Sequence, residues 1–259
     1  MFLVAVPLIR GVPPWVSVVP ASLLFAGLSM GLMGAGGRLA LRPLLEALLA
    51  IGLVAAWLTV DRAIDPKRAG VLYLRPLATV LFLLACLFLG RLLSRIVRER
   101  AMALPVAVVA GLGDVFTVFF GPTGQALAKA PALVQKLSLA IPAAGSAAGP
   151  AGARGLAYVA TMGLGDFIFL AMFLAIAARF GFSVRRSFWA MAGCAAVGIV
   201  LALVVPAIAG MPLLPYMSLG FLWVNRKEFR LSPTERRDMA IGLGFMVALF
   251  VVAGVALRG

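Results

Sequence analysis

The chain has 259 residues, of which 63% are hydrophobic and only 12% are charged. This composition, with a mean hydropathy of +1.10, excludes a soluble globule, because so few charged residues cannot cover a water-facing surface of this size. The net charge of +14 does not indicate nucleic-acid binding, since the basic residues are spread over loops between apolar runs, where they indicate membrane topology.

Long apolar segments follow one another along the chain, and about 20 such residues in a helix cross a hydrocarbon core of about 30 Å. The segments lack the ten-residue alternation of a membrane barrel, so the sequence predicts an all-α, polytopic transmembrane helical bundle. Prolines and a glycine near position 210 divide one long charge-free stretch into two spans. The predicted spans are 14–35, 43–60, 71–90, 101–121, 156–178, 187–208, 211–225 and 239–257.

The loops between these spans predict the orientation of the chain. Lys and Arg residues counted on alternate sides number 14 on one side and 9 on the other. The richer side is expected to be cytoplasmic, which leaves the loop from about 122 to 155 outside. The end of that loop, residues 142–154, is rich in Gly, Ala, Pro and Ser and predicts a flexible linker.

Histidine is missing from the sequence, which excludes Ser-His and Cys-His nucleophilic catalysis and histidine-ligated metal sites. The two cysteines, Cys86 and Cys194, lie in different apolar segments and fit neither a disulfide framework nor a thiolate metal site. We expect both to be small apolar residues between helices. The sequence therefore predicts no metal and no cofactor, and it leaves the oligomeric state open.

The acidic residues are the candidates for chemistry within the membrane. Asp114 and Asp166 lie inside apolar runs, where a charged group costs about 2.5 to 3.5 kcal/mol and normally faces a partner or a water-filled cavity. A structural hydrogen bond is the alternative to a functional role for each. The other acidic residues lie at span ends or in loops beside basic residues, where we expect ordinary surface charges: Glu46, Asp61, Asp65, Glu99, Glu228, Glu235 and Asp238.

Both aspartates end the same tetrapeptide, Gly-Leu-Gly-Asp, at 111–114 and 163–166. Small residues let helix backbones approach closely, so Gly113, Gly163 and Gly165 favour an arrangement that brings the two carboxyls together. Two carboxyls in one site share a proton, and such a pair acts as general base and general acid at once.

Three segments resemble motifs of the presenilin and signal peptide peptidase family of intramembrane aspartyl proteases, in the order that this family has them. GLGDFIF at 163–169 resembles its second catalytic-aspartate motif, and DVFTVFFGPTGQALAKA at 114–130 is similar to the first motif of the signal peptide peptidase branch. The Pro-Ala-Leu-Pro variant of its third motif is similar to the segment formed by Pro212, Leu213, Leu214 and Pro215. Gly113 replaces the usual tyrosine, and Leu213 replaces the alanine.

The resemblance implies that Asp114 and Asp166 hydrolyse peptide bonds of transmembrane or signal-peptide-like helices, with residues 212–215 binding the substrate. The resemblance places the catalytic region at 101–225, and the span count adds a three-span region at 1–100 before it and a basic loop with a further span at 226–259 after it. The expected partners are transmembrane peptides and membrane lipid, and nucleic acid is not among them. The expected location is a bacterial or archaeal cytoplasmic membrane, with the inter-aspartate loop outside.

Helix geometry adds further expectations about this site. Thr117 lies on the same face as Asp114 and either lines a water path or donates a hydrogen bond to its own helix. Pro212 and Pro215 either leave carbonyls open to an extended substrate or only turn the chain. The span boundaries place the two aspartates about 7 Å apart in depth, so a shared proton requires a first-aspartate helix that extends past Gly121 or leans over. We therefore predict that residues 123–130 are helical and that the two carboxyls face each other within reach of one bridging water.

Two other classes remain open on the sequence alone. A transporter or proton-coupled carrier also places carboxylates at the midplane on glycine-broken helices. The repeated Gly-Leu-Gly-Asp would then mark an internal repeat, although the similarity does not extend beyond four residues. A prepilin-type aspartyl peptidase uses a related Gly-x-Gly-Asp signature, but the chain lacks its cysteine-rich domain.

Overall fold

The computed structural model describes residues 24, 27–37, 39, 41–64, 71–119, 138–142, 158–204, 213–229 and 231–256. Within these ranges the predicted all-α class is confirmed, with one small sheet in addition. The helices are α1 (27–36), α2 (Pro43–Ala63), α3 (Val71–Ser94), α4 (Ala103–Phe119), α5 (Leu164–Phe180), α6 (Val184–Val204), α7 (Leu214–Asn225) and α8 (Pro233–Ala256). Strands β1 (Ser138–Pro142) and β2 (Tyr158–Gly163) pair antiparallel.

Three of the described helices are long and apolar enough to cross a membrane, and they lie over Pro43–Ala63, Leu74–Ser94 and Val184–Leu201. They correspond to the spans predicted at 43–60, 71–90 and 187–208. α4 is apolar but shorter, over Ala103–Val118. α7 has 12 residues, so its length of about 18 Å is less than the core thickness of about 30 Å.

The prediction of one continuous helix over 156–178 is wrong in its first part. β2 occupies Tyr158–Gly163, and α5 begins only at Leu164. β2 pairs with β1, which lies in the segment predicted to be a loop. The β-branched and aromatic residues in β2 favour an extended backbone, and Gly163 at its end is a poor helix former. A count of apolar residues measures neither of these preferences. The predicted helix at 123–130 and most of the predicted linker, from 143 onward, lie outside the described residues.

The end of α5 follows the rules for helix termination. Gly181, directly after the last helical residue, has a φ of 75°, a left-handed conformation that suits glycine. The Phe182 N–H then donates to the Ala177 carbonyl at 2.9 Å, the long-range bond of a Schellman motif. Arg179 in the last turn of α5 donates to the carbonyls of Ser94 and Val97, which lie at the end of α3 and just after it.

Residue contacts group the chain into two compact units. The Asp166 unit comprises Met1–Leu92 and Gln135–Ala171, and the Asp114 unit comprises Leu93–Val134 and Met172–Gly259. This grouping differs from the predicted division at 100 and 225, because the segment with Asp166 groups with the N-terminal helices. The two aspartates therefore belong to different units.

A buried ion pair joins α2 and α3 within the Asp166 unit. Glu46 in the first turn of α2 is 1% exposed, and Arg91 near the end of α3 is 6% exposed. Arg91 Nε donates to Glu46 Oε1 at 3.0 Å and Nη1 donates to the Gly36 carbonyl at 2.6 Å, while Nη2 bonds both Glu46 and the Leu39 carbonyl. The prediction that Glu46 is a surface charge is wrong, because its partner lies 45 positions away in the chain. Cys86 is buried and free in the same unit, as predicted.

The core of the Asp114 unit is aromatic, with close helix packing beside it. The Phe173 and Phe221 rings stack with centroids 4.9 Å apart, and Phe182 meets Phe229 edge-on at 5.7 Å. α6 and α7 approach so closely that a Cβ added at Gly220 would lie 2.6 Å from the Ala190 carbonyl oxygen. Only glycine fits this crossing without a shift of the backbone.

Candidate active site

Asp114 lies in α4, and its carboxyl reaches the start of another helix. The side chain is partly exposed, and its carboxyl interacts with the backbone amide of Leu214, the first residue of α7. The first N–H groups of a helix have no partner within it, and Leu213 at the N-cap position supplies no side-chain hydrogen bond. Asp114 therefore interacts with one of these N–H groups, at a helix end where the helix dipole favours an anion.

The seam between α4 and α7 brings the first aspartate segment together with the Pro-Leu-Leu-Pro segment. A Cβ added at Gly111 would lie 3.4 Å from the Pro215 Cα and 3.4 Å from the Ser218 Cβ and Oγ. Gly111 is about one turn before Asp114, and Ser218 is about one turn after Leu214. The contacts thus progress in opposite directions along the two helices, so α4 and α7 run antiparallel in this unit.

Ser218 was not among the predicted site residues. Its side chain is buried at 4% exposure, and its Oγ has no hydrogen-bond partner among the described residues. Buried hydroxyls usually have a partner, so this one is notable where α7 packs against Gly111, one turn before a candidate catalytic aspartate. Ser218 is four residues after Leu214, so the two side chains lie on the same face of α7. This spacing would have identified the hydroxyl only if the sequence had shown that this face packs on α4.

Asp166 lies at the junction between β2 and α5, in the first turn of the helix. Its Oδ2 accepts a hydrogen bond of 3.2 Å from the Gly163 N–H, where an acidic residue three positions into a helix commonly bonds back to the N-cap amide. The next residue, Phe167, is fully buried, and its ring meets Phe82 edge-on at 6.4 Å. The helix start that carries Asp166 is therefore fixed by a backbone bond and by a buried ring.

The structure shows where several of the predicted supporting residues lie. The Thr117 hydroxyl donates to the Asp114 carbonyl at 3.0 Å. This is the hydrogen bond to its own helix, which was the alternative to lining a water path. Leu213 and Pro215 flank Leu214 at the start of α7, whereas Pro212 lies outside the described residues. A Cβ added at Gly113 or at Gly165 would meet no heavy atom of the described residues within 4 Å. The close approach is made instead by Gly111, and its partner is α7.

Asp114 and Asp166 share one local arrangement although they lie in different units. Each carboxyl lies at the N-terminal end of a helix and interacts with a backbone amide there, α7 for Asp114 and α5 for Asp166. Helix ends of this kind stabilise a negative charge. That the two carboxyls face each other remains a prediction. Among the described residues, no three acidic or cysteine side chains come close enough to hold a metal ion.

Comparison with known proteins adds no relative from which a function could be transferred. No protein-family model, no curated protein and no solved structure matches this chain.

Proposed function

We propose that this protein is an intramembrane aspartyl protease in which Asp114 and Asp166 together hydrolyse peptide bonds of transmembrane or signal-peptide-like helices. The observation that supports it best is the packing of Gly111, one turn before Asp114, against Pro215, which brings the Asp114 carboxyl beside the Leu214 amide. Leu214 belongs to the Pro-Leu-Leu-Pro segment, 100 positions along the chain, which has no ionisable side chain of its own. A segment proposed to bind substrate thus lies beside a residue proposed to activate water.

The proposed chemistry requires one proton shared between two carboxyls. The ionised carboxyl takes a proton from water as the oxygen attacks the substrate carbonyl carbon, and the protonated carboxyl gives its proton to the carbonyl oxygen. Collapse of this tetrahedral adduct breaks the C–N bond, and the leaving amine takes up a proton from the pair. The two carboxyls titrate as a unit, so neither is assigned as the sole acid or base.

The proposed substrate must be extended at the cleaved bond, because a helix hides its peptide groups in hydrogen bonds. β2 offers a place for an extended substrate, because this strand ends at Gly163, whose N–H donates to the Asp166 carboxyl. A substrate strand added to the edge of this small sheet would run directly toward the Asp166 carboxyl. The same edge offers backbone donors and acceptors irrespective of substrate side chains, so the proposal implies broad sequence tolerance near the cleaved bond.

The proposed setting is a bacterial or archaeal cytoplasmic membrane, with the inter-aspartate segment outside. The three membrane-length helices support a membrane location. The excess of Lys and Arg on the side of residues 91–100 and 226–237 supports this orientation. A reporter whose fluorescence or enzyme activity depends on the compartment, fused after residue 259, tests it.

The proposed activity is tested by cleavage of a membrane-anchored reporter helix in liposomes that contain the purified full-length protein. Asp114→Asn and Asp166→Asn keep the size of each side chain and remove its negative charge, so each is expected to abolish cleavage. Asp61→Asn, near the end of α2, is the matched control and should cleave like the wild type. Cleavage that survives either of the first two substitutions would contradict a two-carboxyl mechanism.

A proton-coupled carrier is the second candidate, and one observation favours it. α5 begins at Leu164, inside the predicted span, so Asp166 lies at the start of a helix preceded by strand rather than helix. Transporters often place charged groups at such helix breaks. Proton flux across the liposome membrane without any reporter cleavage, lost in Asp166→Asn, would favour the carrier over the protease.

A further inference from the structure

A cavity of about 600 Å³ lies at one end of the antiparallel pair α4 and α7, within the Asp114 unit. It is lined by Glu99, Arg100 and Ala101 from the segment before α4 and by Lys227 and Glu228 from the segment after α7. Its volume falls within the range of about 300 to 1,000 Å³ that is typical of small-molecule sites. The cavity is remote along α4 from Asp114, which lies 11 residues after the helix start at Ala103.

The charges of the described residues that line this cavity are balanced, with two cationic and two anionic side chains. All four side chains are exposed, and the structure pairs none of the four in a salt bridge within the described residues. A simple anion would be repelled by Glu99 and Glu228, and a simple cation by Arg100 and Lys227. A ligand that carries one group of each sign satisfies both pairs.

The chemistry of the side chains selects the two groups. Arg binds phosphate oxygens through two parallel N–H bonds, and Lys is a common phosphate partner. Carboxylates accept hydrogen bonds from a primary ammonium, which has three N–H donors. A quaternary ammonium has no N–H and is normally held by aromatic rings, and none of the described residues that line this cavity is aromatic.

The surroundings of the cavity place it at the level of membrane headgroups. Trp223, in the last turn of α7, is 67% exposed, and the Arg226 guanidinium lies over its ring at 5.2 Å. Exposed tryptophan beside basic residues is typical of the membrane interface. Leu219, one turn earlier on α7, is 61% exposed and offers an apolar surface to lipid chains.

We infer that this cavity binds the headgroup of a phosphatidylethanolamine-type lipid. Arg100 and Lys227 bind the phosphate, Glu99 and Glu228 bind the ammonium, and the acyl chains lie along the exposed apolar face of α7. The site is independent of the proposed proteolysis, and it stabilises the α4–α7 pair from the end opposite to the Asp114–Leu214 contact.

The test is a titration of the full-length protein in detergent with lipids of identical acyl chains, with bound lipid counted by native mass spectrometry. Phosphatidylethanolamine should bind about tenfold more tightly than phosphatidylcholine and phosphatidylglycerol, as expected for added charge-assisted hydrogen bonds. Glu99→Gln with Glu228→Gln should abolish the preference for ethanolamine over choline. Arg100→Gln with Lys227→Gln should weaken binding of phosphatidylethanolamine about tenfold.

Arg236→Gln with Arg237→Gln is the matched control, because both residues are exposed on α8 and neither lines the cavity. It should leave the preference unchanged. Equal binding of the ethanolamine and choline lipids, or an equal loss in the control, would overturn the inference. Glycerophosphoethanolamine, which has no acyl chains, should compete only weakly, and competition as strong as that of the lipid would assign the cavity to a soluble phosphoamine instead.

Discussion

The buried pair of Glu46 and Arg91 allows a sharp test of the fold. Arg91 makes hydrogen bonds to Glu46 and to the carbonyls of Gly36 and Leu39, so it joins the start of α2, the end of α3 and the turn between α1 and α2. Both side chains are nearly inaccessible to solvent. Removing one partner of such a pair leaves the other charge buried and uncompensated, which costs about 3 to 5 kcal/mol.

We expect Glu46→Gln to lower the free energy of unfolding by about 3 kcal/mol, because the amide oxygen of Gln still accepts one bond from Arg91. Arg91→Met should cost more, since each carbonyl that loses its donor adds about 1 to 3 kcal/mol. Combining Arg91→Met with Glu46→Leu should be less destabilising than the sum of Arg91→Met alone and Glu46→Leu alone, because no charge is then left unpaired. SDS-induced unfolding in micelles measures these free energies. The fluorescence of Trp57 reports the unfolding, because this ring packs edge-on against Phe82 in the same unit.

The control for this series is Arg98→Met, since Arg98 is exposed. It should change the free energy of unfolding by less than about 0.5 kcal/mol. A Glu46→Gln protein as stable as this control would refute the buried ion pair and would favour the surface location that the sequence predicts for Glu46.

Three further predictions concern helix packing, a helix cap and catalysis. Gly220→Ala should destabilise the Asp114 unit by about 1 to 3 kcal/mol in the same assay, because its Cβ would lie 2.6 Å from the Ala190 carbonyl oxygen, whereas Gly193→Ala, with no heavy atom within 4 Å, should be neutral or stabilising. The Ser232 N–H donates to Glu235 at 2.6 Å and lowers the pKa of that carboxyl below its usual range. This cap stabilises the start of α8 above the usual carboxyl pKa and is lost as pH falls through the pKa of folded Glu235; Ser232→Ala should raise that pKa, measured by NMR titration. Reporter cleavage should follow a bell-shaped pH profile, and a loss of rate on the alkaline side alone would argue for a single-carboxylate mechanism.

Much of the fold could be predicted from hydrophobicity, because a run of about 20 apolar residues has one stable conformation in a bilayer. The helices at Pro43–Ala63 and Val71–Ser94 match their predicted spans within a few residues at most ends. The same criterion fails at residues 158–163, where an apolar segment forms a strand because a partner strand satisfies its backbone. Pairing between segments separated in the chain leaves no trace in a local count of apolar residues.

The candidate site shows the same division between local and distant information. Asp114 and Asp166 are identifiable from sequence because an isolated carboxylate in an apolar run is costly. The back-bond of Thr117 was also foreseeable, since it depends only on helical spacing. The Leu214 amide and the Ser218 hydroxyl were not, because their importance depends on how α7 packs against Gly111 of α4. Backbone donors in particular carry no residue-type signal.

The central claim is that the carboxyls of Asp114 and Asp166 share one site, and paired cysteine cross-linking tests it most directly. Cys86→Ala and Cys194→Ala first remove both native thiols, and this background should retain reporter cleavage. The positive control pair is Gly111→Cys with Ser218→Cys, whose Cβ atoms would lie 3.4 Å apart, near the separation of about 3.5 to 4.5 Å in a disulfide. Asp114→Cys with Asp166→Cys should then link as readily as the control, either through a disulfide or through a cross-linking reagent about as long as one bridging water. The mass of the joined peptides reports the link. A protein in which the control pair links but residues 114 and 166 do not would contradict the dyad, and with it the proposed protease.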